Sequence, residues 1–472
     1  MSHPLKVKST SSPSEQQPVK INRGLVFSII AMALLMNTID STIVATALHT
    51  LQQDLNTTVS WVGWTMTAYS FGFVLMLPVS AKLSTRFGHR RIFTASVFLF
   101  TIASLLCGLS THIYTLIIMR VFQAMGGAGI TPAATGLIVE HFGSARAQYL
   151  GLFGSIFSSG VIIGPISGGI FVTYWTWPWI FFINLPLGCI VLILSLRFIP
   201  KDNPPREKHD KMDFPGILWM GLAILTTMYA ATYLAEEETT ILSPVFLGMT
   251  AISVIAFILL FQHLKRVNSP FIPPRFIFGK GFGAVNLFNI IFSGMGIGAN
   301  SLVPLYAIHR YGISDLNSGI LLVANGAASV ILSTIMSIYI NRTGYRIPLY
   351  IGGTILAIGM LLLTLEPPFQ LTPLWWLMLS TFVIGIGFGI MSPAGRNAGI
   401  QLAPEQSAEI AAVRSLGMQL GQITAIAAAT AIIAGAKNAA MAQAMVYAGL
   451  AVILIILLIP VISRIPENKG SW

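Results

Sequence analysis

The chain has 472 residues, 54% of them hydrophobic and only 9% charged, with a formal net charge of +11. An ordinary soluble protein carries about a quarter charged residues, and at a mean hydropathy of +0.77 no water-soluble fold of this length hides its apolar surface. That excludes a soluble enzyme and gives a membrane origin to the basic balance, so no nucleic-acid partner is implied.

In chain order, residues 1–22 are rich in Ser, Pro and Gln and read as a disordered cytoplasmic tail. Apolar runs of about 20 residues, the length that crosses a hydrocarbon core, then begin near Leu25, Trp61, Ile92, Ile113, Ala147, Trp179, Phe214, Ile241, Phe282, Ser318, Ile347, Leu374, Ala408 and Met441. The predicted fold is all-α and integral to the membrane, with 14 transmembrane helices. Of 27 Lys and Arg residues, 24 fall on one face of this topology, including Arg396 and Arg414. The positive-inside rule makes that face cytoplasmic, with both termini on it. Cys107 and Cys189 lie in apolar runs and read as small core residues.

Two short patterns recur. Arg86-Phe87-Gly88-His89-Arg90 follows the second span and Arg342-Thr343-Gly344-Tyr345-Arg346 the tenth, both R-x-G-x-R on the inner face. Gly129-Ile130-Thr131-Pro132-Ala133 in the fourth span has a counterpart in Gly389 to Ala394 of the twelfth. The repeat predicts two six-helix halves, 23–200 and 276–465, joined by a linker with two extra helices, 201–275, and ending in a tail, 466–472. Such parallel halves place a substrate site near the midplane between them. Gly88 and Gly344 allow tight turns. Arg86, Arg90, Arg342 and Arg346 are expected to latch an inner gate by holding helix ends or carboxylates of the opposite half.

Asp40 and Arg120 alone among the charged residues lie well inside apolar spans. A charge at membrane depth costs a few kcal/mol or more and marks a functional route. Asp40 is eight residues before Leu48 and Arg120 seven after Ile113, so both sit ~10–12 Å below the same face and can pair. Arg120, Gln123, Ala124 and Gly127 share one helix face, where small residues admit a neighbouring helix. Gly160, Gly164 and Gly168, with Pro165 and Gly169, predict a smooth groove for a partner helix and a bend at the proline.

These residues resemble the fourteen-span drug:proton antiporters of the major facilitator superfamily. The resemblance rests on Asp40-Ser41-Thr42-Ile43-Val44, the R-x-G-x-R loop, Arg120-x2-Gln123 and the glycine–proline run of span five, and extends from about Leu25 to Ile465. It implies alternating access, export of amphipathic compounds powered by inward proton flow, Asp40 as proton acceptor with Arg120 as its charge partner, and Arg86 and Arg90 as gate residues. The proton is then the coupling ion and no other cofactor is expected. The implied location is the cytoplasmic (inner) membrane, with the lipid bilayer as partner and a periplasmic adaptor left open. The chain departs from the family where Ala81 replaces a glycine and Thr85 an aspartate, so the latch is expected to be weaker or built differently.

Candidate cavity residues are Trp64, Tyr69, Phe157, Asn286, Asn289, Met295, Asn300 and Asn325, which suit an apolar pocket with adaptable polar contacts. Without acids in the second-half spans, lipophilic monocations or neutral compounds are expected. The main alternative is an uncoupled facilitator or uptake carrier of the same fold. A proton-channel subunit would need mid-span lysines, which are absent.

Overall fold

A computed structural model describes residues 22–57, 59–202, 212–234, 242–268, 270–313, 315–368, 370–434, 436 and 438–467. Most of the predicted tails and much of the linker, with Lys6, Lys8, Lys20, Arg206, Lys208, Lys211, Lys437 and Lys469, lie outside the described residues.

The described elements are all helical. The long ones are α1 (Arg23–Ile43), α2 (Val59–Phe87), α3 (His89–Gly108), α4 (Ile113–His141), α5 (Arg146–Tyr174), α6 (Asn184–Phe198), α7 (Phe214–Leu234) and α8 (Pro244–Arg266). Next comes α9 (Phe282–Phe288), which runs through a π-helical turn, Asn289–Met295, into Gly296–Ser301. The chain ends with α10 (Asp315–Thr343), α11 (Arg346–Thr364), α12 (Pro373–Ile400), α13 (Ser407–Ala434) and α14 (Ala439–Ile462). Among the described residues, twelve helices are long and apolar enough to cross a membrane. The other two of the fourteen predicted positions fall on α7, apolar over the shorter stretch Phe214–Ala230, and on α13, which is outside the twelve.

Local signals set the ends. The side chains of Asn22, Ser243 and Asn438 accept hydrogen bonds from the backbone N–H of Leu25, Phe246 and Met441, satisfying first-turn donors of α1, α8 and α14. Gly88 separates α2 from α3 at φ 102°, a conformation that L side chains rarely adopt.

Helices α1 to α6 pack together, as do α9 to α14. The first core gathers Val26, Ile30, Phe93, Phe100 and Leu137 and continues onto Met220, Ile224 and Leu260 of the inserted pair. The second holds Phe292, Tyr306, Leu356, Met360 and Tyr447. The inserted helices are tied at one end by His263 Nε2, 2.7 Å from Asp213 Oδ1.

The glycines of α5 meet α1 as the spacing predicts. A side chain at Gly160, Gly164 or Gly168 would overlap Thr38, Thr42 and Thr46 in turn, a threonine ladder against a glycine ladder. Gly169 faces open space and is outside the groove. Gly127 of α4 brings its backbone against Asn37 of α1. A sequence expectation fails at Cys189, which is exposed on α6, whereas Cys107 is buried.

Candidate functional site

Asp40 on α1 and Arg120 on α4 form a direct ion pair, Nη1 to Oδ2 at 2.8 Å, with side chains 0% and 1% exposed. The predicted depths bring the two charges together. Gln123, one turn along α4, donates from Nε2 to Asp40 Oδ1 at 2.7 Å and accepts from Arg120 Nη1 at 2.7 Å. Asn184, at the start of α6, donates to the same Asp40 oxygen at 2.8 Å. An ionised carboxylate only accepts hydrogen bonds, and three N–H donors from two other helices converge on this one. Ser104 of α3 accepts from Gln123 at 2.7 Å, adding a fourth helix to the network.

The Arg120 guanidinium lies over two aromatic rings, 4.1 Å from the centroid of Tyr69 on α2 and 5.6 Å from that of Phe181. A desolvated guanidinium over a ring face gains about 2 kcal/mol of cation–π attraction. Tyr69 Oη donates to Asn37 Oδ1 at 3.1 Å. Tyr69 is thus a structural partner of the charge pair, where the sequence reading put it in the substrate cavity. Asn184 and Ser104 were missed. Their only signal is a polar residue in an apolar helix, and dozens of residues share it.

Two of the gate-loop arginines, Arg90 and Arg346, bond within their own half, contrary to the expectation. Arg90 donates from its side chain to Leu196 O, and Arg346 from Nε to Ile465 O at 2.7 Å, each within its own half. The turn at Gly88 lays the start of α3 on Asp202, whose oxygens accept from the N–H of Arg90 at 2.7 Å and Arg91 at 3.0 Å. Glu467 does the same for Tyr345 and Arg346, at 2.8 and 3.0 Å. A carboxylate at a helix start is favoured by orphan N–H groups and by the helix dipole. Both loops are therefore staples closing each half on itself, with Arg342 exposed.

The described hydrogen bonds between the halves run from the gate-loop end to mid-helix. Thr85 Oγ1 donates to Glu409 Oε1 at 3.3 Å, and Asn397 Nδ2 to Ala147 O at 3.1 Å. Ser155 Oγ is 2.7 Å from Thr334 Oγ1, and Ser158 Oγ 2.9 Å from Ser329 Oγ. Past Gly160, α5 exposes Val161, Ile163, Ile166 and Ile170. The seam is closed at one end.

A hollow of about 20 Å³ lies in that seam, lined from both halves by residues including Thr131, Phe153, Asn286, Arg396 and Arg414. Of the eight predicted cavity residues, Asn286 lines it and Phe157 lies under the Arg396 guanidinium, 4.9 Å from ring centroid to carbon. The others point elsewhere. Trp64 packs on Tyr229 of α7 at 6.1 Å, Met295 on the second core, and Asn325 donates to Thr381 O at 3.1 Å inside one half. Asn289 bonds back to Val285 O at 2.8 Å, and Asn300 is buried away from the hollow. Arg396 and Arg414, expected on the inner surface, are instead only 8% exposed, the first short of the end of α12 at Ile400 and the second past the start of α13 at Ser407.

The sequence matches the model of the Major Facilitator Superfamily over residues 30–285 and 285–472. Among curated proteins it is 28% identical over 418 residues to "Multidrug resistance protein B homolog" of Mycobacterium tuberculosis, covering 87% of this chain and 76% of that one. It is 27% identical over 409 residues to "Riboflavin transporter RibZ" of Clostridioides difficile, covering 84% and 86%. Among solved structures, the proton:xylose symporter XylE superposes with a TM-score of 0.65 at 14% identity, over 95% of this chain and 97% of that one, which establishes the common fold.

Proposed function

The chain belongs to the Major Facilitator Superfamily and is a membrane transporter, not an enzyme, and from that premise we propose that it exports amphipathic organic compounds in exchange for protons. Multidrug-resistance relatives favour export of such compounds, while the riboflavin transporter among them keeps a dedicated metabolite carrier as the second reading. In this proposal α7 and α13 complete fourteen spans, the termini face the cytoplasm, and the protein sits in the inner membrane. The closed gate-loop end is then cytoplasmic, and the structure is an outward-facing state.

The observation that carries the coupling assignment is the sealed Asp40–Arg120 pair with its donors from α4 and α6. A carboxylate whose contacts span several helices links its charge to their packing, and a proton shifts the conformational balance only through such differential contacts. Protonation of Asp40 removes one charge of the pair, loosens its hold on Arg120 and Gln123, and frees α1 against α4. Proton release towards the cytoplasm restores the pair, and substrate is taken up from that side.

Everted vesicles test it. With an acidified interior, the wild type should concentrate a fluorescent amphipathic drug, whereas Asp40→Asn should leave gradient-driven uptake at background and retain drug exchange without a gradient. Undiminished gradient-driven uptake by the variant would refute the coupling role.

A further inference from the structure

Resting on the export reading, we infer that Arg396 and Arg414 form the binding site for an anionic group, a carboxylate, sulfonate or phosphate, of the compound the chain carries. The two side chains come from α12 and α13 and line one hollow at the seam. Each is more than nine-tenths buried, and each holds a buried Nε without a hydrogen-bond partner. Neither makes a hydrogen bond or ion pair among the described residues, and none of the residues lining the hollow is acidic. Buried charges are normally paired, because leaving one uncompensated is costly. Two like charges facing one space call for an anion there, and the guanidinium fork is shaped to hold a carboxylate or phosphate through two parallel bonds.

The surroundings suit an amphipathic ligand. Thr131 stands on the facing wall, and Phe153 and Phe157 of α5 offer apolar surface for the ligand's body. At about 20 Å³ the hollow has room for roughly one water in this state. Arg396 meanwhile rests on the rings of Phe153 and Phe157, at 5.9 and 4.9 Å. Those rings belong to the other half, so parting the seam at this end strips the guanidinium of its aromatic support and opens it to the cytoplasm. The rings thus replace the anion when the empty carrier closes. This reverses the expectation of cationic or neutral substrates, which counted the missing acids and placed both arginines at the surface.

A matched pair of probes tests the site: dansylglycine and its uncharged methyl ester, with the purified full-length chain in phosphatidylcholine nanodiscs. The acid should bind at least ~10-fold more tightly than the ester. Arg396→Gln and Arg414→Gln should bring the acid down to the ester's affinity and leave the ester unchanged, which also reports that each variant is folded. Arg396→Lys should keep part of the preference. Equal binding of acid and ester by the wild type, or parallel loss of both in the Gln variants, would overturn the inference. Displacement of the acid by phosphatidylglycerol at membrane levels would also overturn it, assigning the pair to a lipid headgroup. Uptake of both probes by everted vesicles separates the two levels. Arginine-dependent acid binding without gradient-driven uptake of either probe sinks the export reading and leaves the site. Uptake of the ester but not the acid does the reverse.

Discussion

Thr85 on α2 donates a hydrogen bond to Glu409 on α13 across the seam, 3.3 Å from oxygen to oxygen. In the family that the sequence resembles, an aspartate stands at this position; here a hydroxyl meets a carboxylate from the opposite half. In the proposed cycle this contact serves as the latch, with the acid on the other side.

Breaking that contact should open the gate-loop end. A hydrogen bond to a charged group contributes about 1.5–3 kcal/mol, so Thr85→Val should shift the conformational population roughly tenfold or more towards the state open at that end. Thr85→Asp should shift it further, since two carboxylates would face each other. Thiol labelling of a cysteine at Ser155, a seam residue, reads the shift. Unchanged labelling in both variants would remove Thr85 from the latch.

The carboxylate staples should act independently in the two halves. Losing a capping side chain costs about 0.5–2 kcal/mol, so Asp202→Ala and Glu467→Ala should each lower the thermal midpoint of the purified protein. Their contacts lie in separate halves, and distant substitutions add. The double variant should therefore fall by the sum, measured by tryptophan fluorescence on heating.

Gly164→Val should be far more damaging than Gly169→Val. The first drives a side chain into Thr42 of α1, the second points into open space. Overpacking costs about 1–3 kcal/mol. Gly164→Val should lose most folded protein in size-exclusion profiles, with Thr42→Ala restoring part of it, while Gly169→Val should elute as the wild type does.

Removing one partner of the buried pair should cost more than removing both charges. Arg120→Leu strands the Asp40 carboxylate and should destabilise by about 3–5 kcal/mol. Adding Asp40→Asn to it should recover much of that stability but no gradient-driven transport. Arg120→Lys should not rescue fully, because an ammonium that bonds Asp40 and Gln123 loses the planar guanidinium's stacking on the Tyr69 ring.

Helix positions and the central pair were legible in the sequence because membrane depth exaggerates the relevant signal. A 20-residue apolar run is hard to miss, and Asp40 or Arg120 within one is costly enough to announce itself. Asn184 and Ser104 carry no such penalty, so nothing separates them from packing residues before the helices are assembled. Asp202 and Glu467 sit after their last helices, far along the chain from the helix starts they cap, and only the folded turn brings them there. The cavity was misread at Trp64 for a related reason. An aromatic ring on an apolar helix has several neighbours to face, and here the inserted α7 claims it. Arg396 lies inside the end of α12 and Arg414 inside the start of α13; counted only as markers of the inner face, neither shows its burial in the sequence.

Helix α5 has two working faces. One meshes its glycines with Thr38, Thr42 and Thr46, and the other lays Ser155 and Ser158 along α10. Like a rack engaged with a toothed rod, it cannot let α1 turn about its own axis or slip by a fraction of a step without moving too. In the proposed cycle, a displacement started at Asp40 therefore arrives at the boundary between the two bundles through a single rigid gear, with no loop in between to absorb it.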